Sequence, residues 1–100
     1  MAAPSASYAI ILRVRMDHDT TALGRVTTAV GEAGGAVTGV DIVESHPDGM
    51  TADITANAGD VEHANTIRDA VNAVDGATVH KISDRTFLIH LGGKMEIRSK

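Results

Sequence analysis

The sequence predicts an α+β domain, a two-layer sandwich with element order βαββαβ. Short runs of alternating apolar residues, two longer stretches with apolar residues at helical spacing, and turn-forming residues between them carry that prediction. At 100 residues with 43% hydrophobic content, the chain supports one domain with a modest core. Aromatics are only 2%, so that core must be built from Val, Ile, Leu, Ala and Met.

Met1 to Ser7 is small, polar and Pro-containing, a frayed lead-in covering residues 1–7. From Tyr8 to Arg15 the even positions Tyr8, Ile10, Leu12 and Val14 are all apolar, while the odd ones run Ala9, Ile11, Arg13 and Arg15. This is a strand with one face wholly buried and the other partly so. Asp17-His18-Asp19-Thr20 then supplies helix-starting residues, with Asp19 or Thr20 as cap. Leu23, Val26, Val30 and Ala33 recur at helical spacing until Gly34-Gly35, predicting a helix over about Thr20 to Ala33.

Val37 to Ser45 reads as a second strand, His46-Pro47-Asp48-Gly49 as a turn, and Met50, Ala52, Ile54 and Ala56 as one face of a third strand. The pair predicts a hairpin with one wet face. Asp60 is placed to cap a second helix carrying Val61, Ala64, Ile67, Val71 and Val74 along one side and ending by Gly76. Ala77 to Ser83 gives a fourth strand around Val79 and Ile82, completing a split βαβ, or ferredoxin-like, arrangement. Such a fold leaves one sheet face without helices. Ala9, Ile11 and the apolar residues Phe87 to Leu91 are surplus to the helix-covered face, which predicts dimerisation through sheet edges or faces, with Phe87 to Leu91 as an extra C-terminal strand or strap.

Composition excludes several functions. A net charge of −4 opposes phosphate-backbone binding, and Tyr8 and Phe87 alone make no base-stacking platform, so nucleic acid is not an expected partner. Without cysteine there are no disulfides, thiolate metal sites or Cys nucleophiles. No run is apolar enough to cross a bilayer and residues 1–7 are no secretory signal, so the expectation is a cytoplasmic chain away from the membrane.

The chemistry-bearing motifs are weak. His18, His46, His63, His80 and His90 show no metal-ligand spacing, and solvated loop positions account for them; no metal site is expected. Gly92-Gly93-Lys94 ends like a phosphate loop, but Leu88 and Met95 stand where Gly and Ser or Thr are needed. A flexible connector over 92–100 explains it better. Gly31, Gly34 and Gly35 sit at a helix end rather than in a dinucleotide fingerprint. The candidate site is the loop Asp17-His18-Asp19-Thr20-Thr21, where a helix N-terminus presents unpaired N–H groups to an anion. Asp17 and Asp19 oppose that anion, and simple capping competes with it.

The run Asp84-Arg85-Thr86-Phe87-Leu88-Ile89-His90-Leu91-Gly92-Gly93-Lys94-Met95-Glu96-Ile97-Arg98-Ser99-Lys100 follows a completed α/β pattern and lacks a terminating signal. It closely resembles the junction in bacterial, especially actinobacterial, NAD(P)-dependent malic enzymes, where a small N-terminal ACT-type regulatory domain meets the catalytic part. Gly34-Gly35-Ala36-Val37-Thr38-Gly39-Val40-Asp41 strengthens the resemblance. The resemblance implies an ACT domain over residues 8–91, joined by 92–100 to a catalytic domain that this chain does not include. It further implies a homodimer and a small-molecule effector site at the interface, formed by Asp17, His18, Asp19, Thr20, Thr21 and Leu23 together with Gly34, Gly35, Val37 and Gly39. Amino-acid-binding ACT domains carry Pro-Gly in the first loop. Asp19-Thr20-Thr21-Ala22-Leu23 lacks it, which leaves the effector open.

Malic enzymes oxidise and decarboxylate malate to pyruvate with NAD(P) and a divalent metal. Residues 1–100 hold no counterpart of the tyrosine, lysine and acidic ligands involved, so the expectation is no catalytic residue and no cofactor in this fragment. The alternative is a purely structural oligomerisation module with no ligand. An acylphosphatase-like hydrolase would need an Arg in a Gly-rich loop after the first strand, and Asp17-His18-Asp19 offers the opposite charge.

Overall fold

In a computed structural model that describes residues 8–84, the chain runs β1 (Ala9–Asp17), α1 (Ala22–Glu32), β2 (Ala36–His46), β3 (Gly49–Asn57), α2 (Val61–Asn72) and β4 (Ala77–Asp84). The strands form one antiparallel sheet of order β2-β3-β1-β4, the ferredoxin-like arrangement that the element order predicts. The lead-in, the strap and the connector expected at residues 1–7, 87–91 and 92–100 lie outside the described residues.

The alternation in β1 has its expected result. Ile10, Leu12, Val14 and Met16 are buried to within 1% exposure, and they pack with Ala52, Ile54 and Ala56 of β3 beneath the two helices. From above, Val26 and Val30 of α1 and Ile67 and Val71 of α2 close the core, whose buried residues are all apolar. Alanines on β3 make room for the helix layer.

The first helix starts two residues later than predicted. Asp19 accepts from the Thr21 N–H and hydroxyl, both at 2.8 Å, which bends the chain into a turn before α1 begins at Ala22. Neither Asp19 nor Thr20 is the cap residue; Thr21 is, and its own side chain makes no capping bond. At the other end Gly34 adopts φ +90°, and the Gly35 N–H donates to the Val30 carbonyl at 2.9 Å. That is the glycine-terminated helix end foreseen from Gly34-Gly35. Asp60 caps α2 as predicted, accepting from the His63 N–H at 2.7 Å.

Two expectations about exposure are corrected. The hairpin does not have one dry and one wet face on both strands: β3 does, but β2 is exposed along nearly its whole length. Val37, Val40 and Ile42 pair with Ala56, Ile54 and Ala52, so they lie on the helix-facing side of the sheet, yet they are 37%, 44% and 46% exposed. The helices leave these side chains partly uncovered. Conversely, the helix-free face is not a bare apolar surface. Ala9 and Ile11 are already half-buried, and the centre of that face is an Arg13–Asp53 pair with contacts of 2.8 and 2.9 Å. Asp41 of β2 and Lys81 of β4 flank it in register.

Candidate functional site

The ten candidate residues fall into two clusters at opposite ends of the sheet. Asp17 pairs with Gly49, which pairs with His46, so the loop after β1 lies beside the hairpin end of β2. Ala9 pairs with Asn57, which pairs with Ala36, so Gly34, Gly35, Val37 and Gly39 lie at the far end. The eight residue steps along β1 make this separation roughly 26 Å. Within one chain the clusters do not meet.

In the first cluster, Asp17, His18, Asp19 and Thr20 line a recess of about 140 Å³ with Ser45, Gly49 and Met50. The acidic loop is internally satisfied. Besides its bonds with Thr21, Asp19 pairs with Arg25 at 3.2 Å, and Arg25 donates both to the Thr21 hydroxyl and to the Asp75 carbonyl at 3.3 Å. The Thr21 backbone N–H, then its hydroxyl and the Arg25 guanidinium, hold the Asp19 carboxyl below its ordinary value. The backbone N–H of Asp17 donates to Gly76 at 2.9 Å, tying the loop to the start of β4. Leu23 turns inward against the core, whereas His18, Thr20 and Thr21 are exposed.

The second cluster is a close-packed corner. A Cβ on Gly35 would lie 2.8 Å from Ile67 Cδ1 and 3.0 Å from Val30 Cγ1, so glycine lets the chain pass against α2 before it enters β2. Thr38 bulges out of register and donates to the Thr55 carbonyl at 3.3 Å. Val37 is exposed and Gly39 only partly covered, which leaves the entry to β2 accessible from the strand's outer edge.

The histidines are not all loop residues. His46 ends β2, 3.4 Å from Glu44, and His80 lies in β4. His63 belongs to α2 and uses both ring nitrogens, contacting the Gly59 N–H and the Ala33 carbonyl, each at 2.8 Å. No sequence spacing signals these contacts, because Ala33 lies thirty residues away. Among the described residues no group of three or more His, Cys, Asp or Glu is placed to hold a metal ion. The glycine-free, acidic turn after β1 likewise suits neither pyrophosphate nor a nicotinamide dinucleotide. Among the same residues, no helix is long and apolar enough to cross a membrane.

Comparison with known proteins gives two kinds of match. The chain is 36% identical to an NAD-dependent malic enzyme of Geobacillus stearothermophilus over 101 aligned residues, covering 100% of this chain and 21% of that enzyme. It is 35% identical to NAD-dependent malic enzyme 1 of Bacillus subtilis (strain 168) over 79 residues, 78% of this chain and 18% of that enzyme. The chain therefore spans about a fifth of the length of these relatives. Its fold matches the crystal structure of the ACT domain from the GTP pyrophosphokinase of Chlorobium tepidum, with a TM-score of 0.60 and 10% identity, covering 77% of this chain and 96% of that domain. No protein-family model matches.

Proposed function

The chain belongs with the NAD-dependent malic enzymes as an ACT-fold domain, and from that premise we propose that it senses a small-molecule effector as a homodimer. The observation that carries the reading is the edge strand β2. Its helix-facing side exposes Val37, Val40 and Ile42, and its outer backbone groups have no strand beside them among the described residues. Long, flat, apolar edges are templates for pairing with another chain. At about 25 cal/mol per Å² of apolar surface removed from water, covering this stripe supplies part of an association energy.

A two-fold axis beside β2 would pair it antiparallel with its copy. Each β2 start would then lie near the partner's β2 end, next to the partner's loop after β1. The two clusters that one chain holds roughly 26 Å apart would approach each other across the interface. Effector binding would then strengthen subunit pairing, because the ligand contacts both copies. In this reading, oxidative decarboxylation of malate with NAD(P) and a divalent metal belongs to a catalytic domain of the same polypeptide, and the residues of this chain supply regulation from a cytoplasmic enzyme's flank.

The internal satisfaction of Asp19 by Thr21 and Arg25 favours a second reading, an assembly module with no ligand. Calorimetric titration with amino acids, dicarboxylates, acyl-CoA and nucleotides separates them. Sensing predicts a saturable heat from one class, lost when Val40→Lys disrupts pairing. Silence from every class at millimolar concentration, with the dimer intact, leaves the assembly module.

A further inference from the structure

His63 occupies a junction that neither the sequence pattern nor the proposed sensing role accounts for. It lies in the first turn of α2, where its own backbone N–H donates to the side chain of the cap residue Asp60 at 2.7 Å. Its ring spans two segments. The N–H of Gly59, just before the cap of α2, points at Nδ1 from 2.8 Å, and the carbonyl of Ala33, the last residue of α1's terminal turn, lies 2.8 Å from Nε2.

These partners fix the tautomer. A backbone N–H can only donate and a backbone carbonyl can only accept, so Nδ1 must be bare and Nε2 must carry the proton. Only the neutral ring satisfies both bonds. A proton on Nδ1 would meet the Gly59 N–H head-on and leave two donors facing each other.

The position amplifies that conflict. Ala33 leads directly into Gly34-Gly35, and Gly35 is wedged against Ile67, one helical turn beyond His63 on α2. The entry to β2 is thus held from one side by two successive contacts of α2, one polar and one apolar. Loosening the polar one frees the corner to shift. We infer that His63 is a proton-sensitive latch that positions the Gly34–Gly39 segment, so that proton uptake by its ring releases this half of the candidate effector site.

The charged groups around the ring are acidic. Asp60, Glu62 and Asp69 of α2 line the same recess as His63 and Ala33, and Glu32 stands beside Ala33 at the end of α1. Arg68 is engaged with Asp69 at 3.2 Å and with Asn65 at 3.1 Å. The regulatory consequence rests on the sensing role proposed above; the latch itself does not.

Nitrogen-edited NMR of the full 100-residue chain between about pH 8 and 5, the range in which imidazoles titrate, tests the latch without any effector. His63 Nδ1 should pass from bare to protonated with the same midpoint as shifts in the amides of Gly59, Gly34, Gly35 and Gly39. Protection of the Gly59 amide, its exchange relative to the intrinsic rate at each pH, should fall about tenfold as its bond is lost. In His63→Gln these amide shifts should vanish. Corner amides that stay fixed while the ring titrates, or that titrate unchanged in His63→Gln, would overturn the inference. Should that variant not fold, co-titration in the unmodified chain decides alone. A chain that co-titrates but binds no effector keeps the latch and loses the sensing role.

Discussion

Gly35 of the α1–β2 corner passes so near Ile67 of α2 that an added Cβ would stand 2.8 Å from the Ile67 Cδ1 atom. Ile67 is fully buried and cannot swing into solvent to relieve the contact. Gly35→Ala should therefore destabilise the domain by about 1–2 kcal/mol through overpacking. Urea unfolding measures it, and a midpoint equal to that of the unmodified chain would show that the corner yields freely.

Removing the other partner has a different cost. Ile67→Ala would leave a cavity in the core beside the Gly35 corner, at about 2–5 kcal/mol. A domain of this size has limited stability in reserve. The expected outcome is a large fall in urea midpoint or loss of the cooperative transition.

The Arg13–Asp53 pair at the centre of the helix-free face is two-pronged but open to water, with side chains 44% and 23% exposed. Hydrogen bonding and charge from Asp53 raise the already high Arg13 value, so the guanidinium stays charged throughout. Solvent screening limits the pair to about 0.5–1 kcal/mol. A double-mutant cycle with Arg13→Ala and Asp53→Ala should return a coupling in that range, and a coupling above about 2 kcal/mol would mean that something covers this face.

Asp19 links the loop after β1 to acid. Its carboxyl is held below the ordinary 3.8, chiefly by the Thr21 backbone N–H and then by the Thr21 hydroxyl and Arg25. A group with a lowered value in the folded state binds protons less readily there than in the unfolded chain. Its contribution is complete above the unfolded value and fades as pH falls through the folded one. Thermal melts should show that the stability difference between the unmodified chain and Asp19→Asn is present at neutral pH and shrinks below about pH 4. A constant difference across that window would contradict the assigned role.

Much of the fold was readable because local pattern and tertiary role agree. Alternation in Ile10, Leu12, Val14 and Met16 marks the buried face of a central strand, Asp60 announces α2, and Gly34 ends α1. The edge position of β2 was not readable. Val37, Val40 and Ile42 look like core residues, and only the reach of the helix layer leaves them exposed. The candidate residues could be named from the sequence, but not where they lie. Pairing register alone reveals that they fall into two clusters at opposite ends of the sheet. His63 was read only as a solvated loop histidine, since its contact with Ala33 depends on how two helices meet.

The proposed pairing of β2 with its own copy would bring the two candidate clusters together. Light scattering across a range of chain concentrations, on the unmodified chain and on Ile42→Lys, checks it. Pairing predicts a mass of twice 10.4 kDa for the unmodified chain and a single 10.4 kDa species for the variant, with both remaining folded. An unmodified chain that stays at 10.4 kDa at every concentration, or a variant that pairs as tightly, would contradict it.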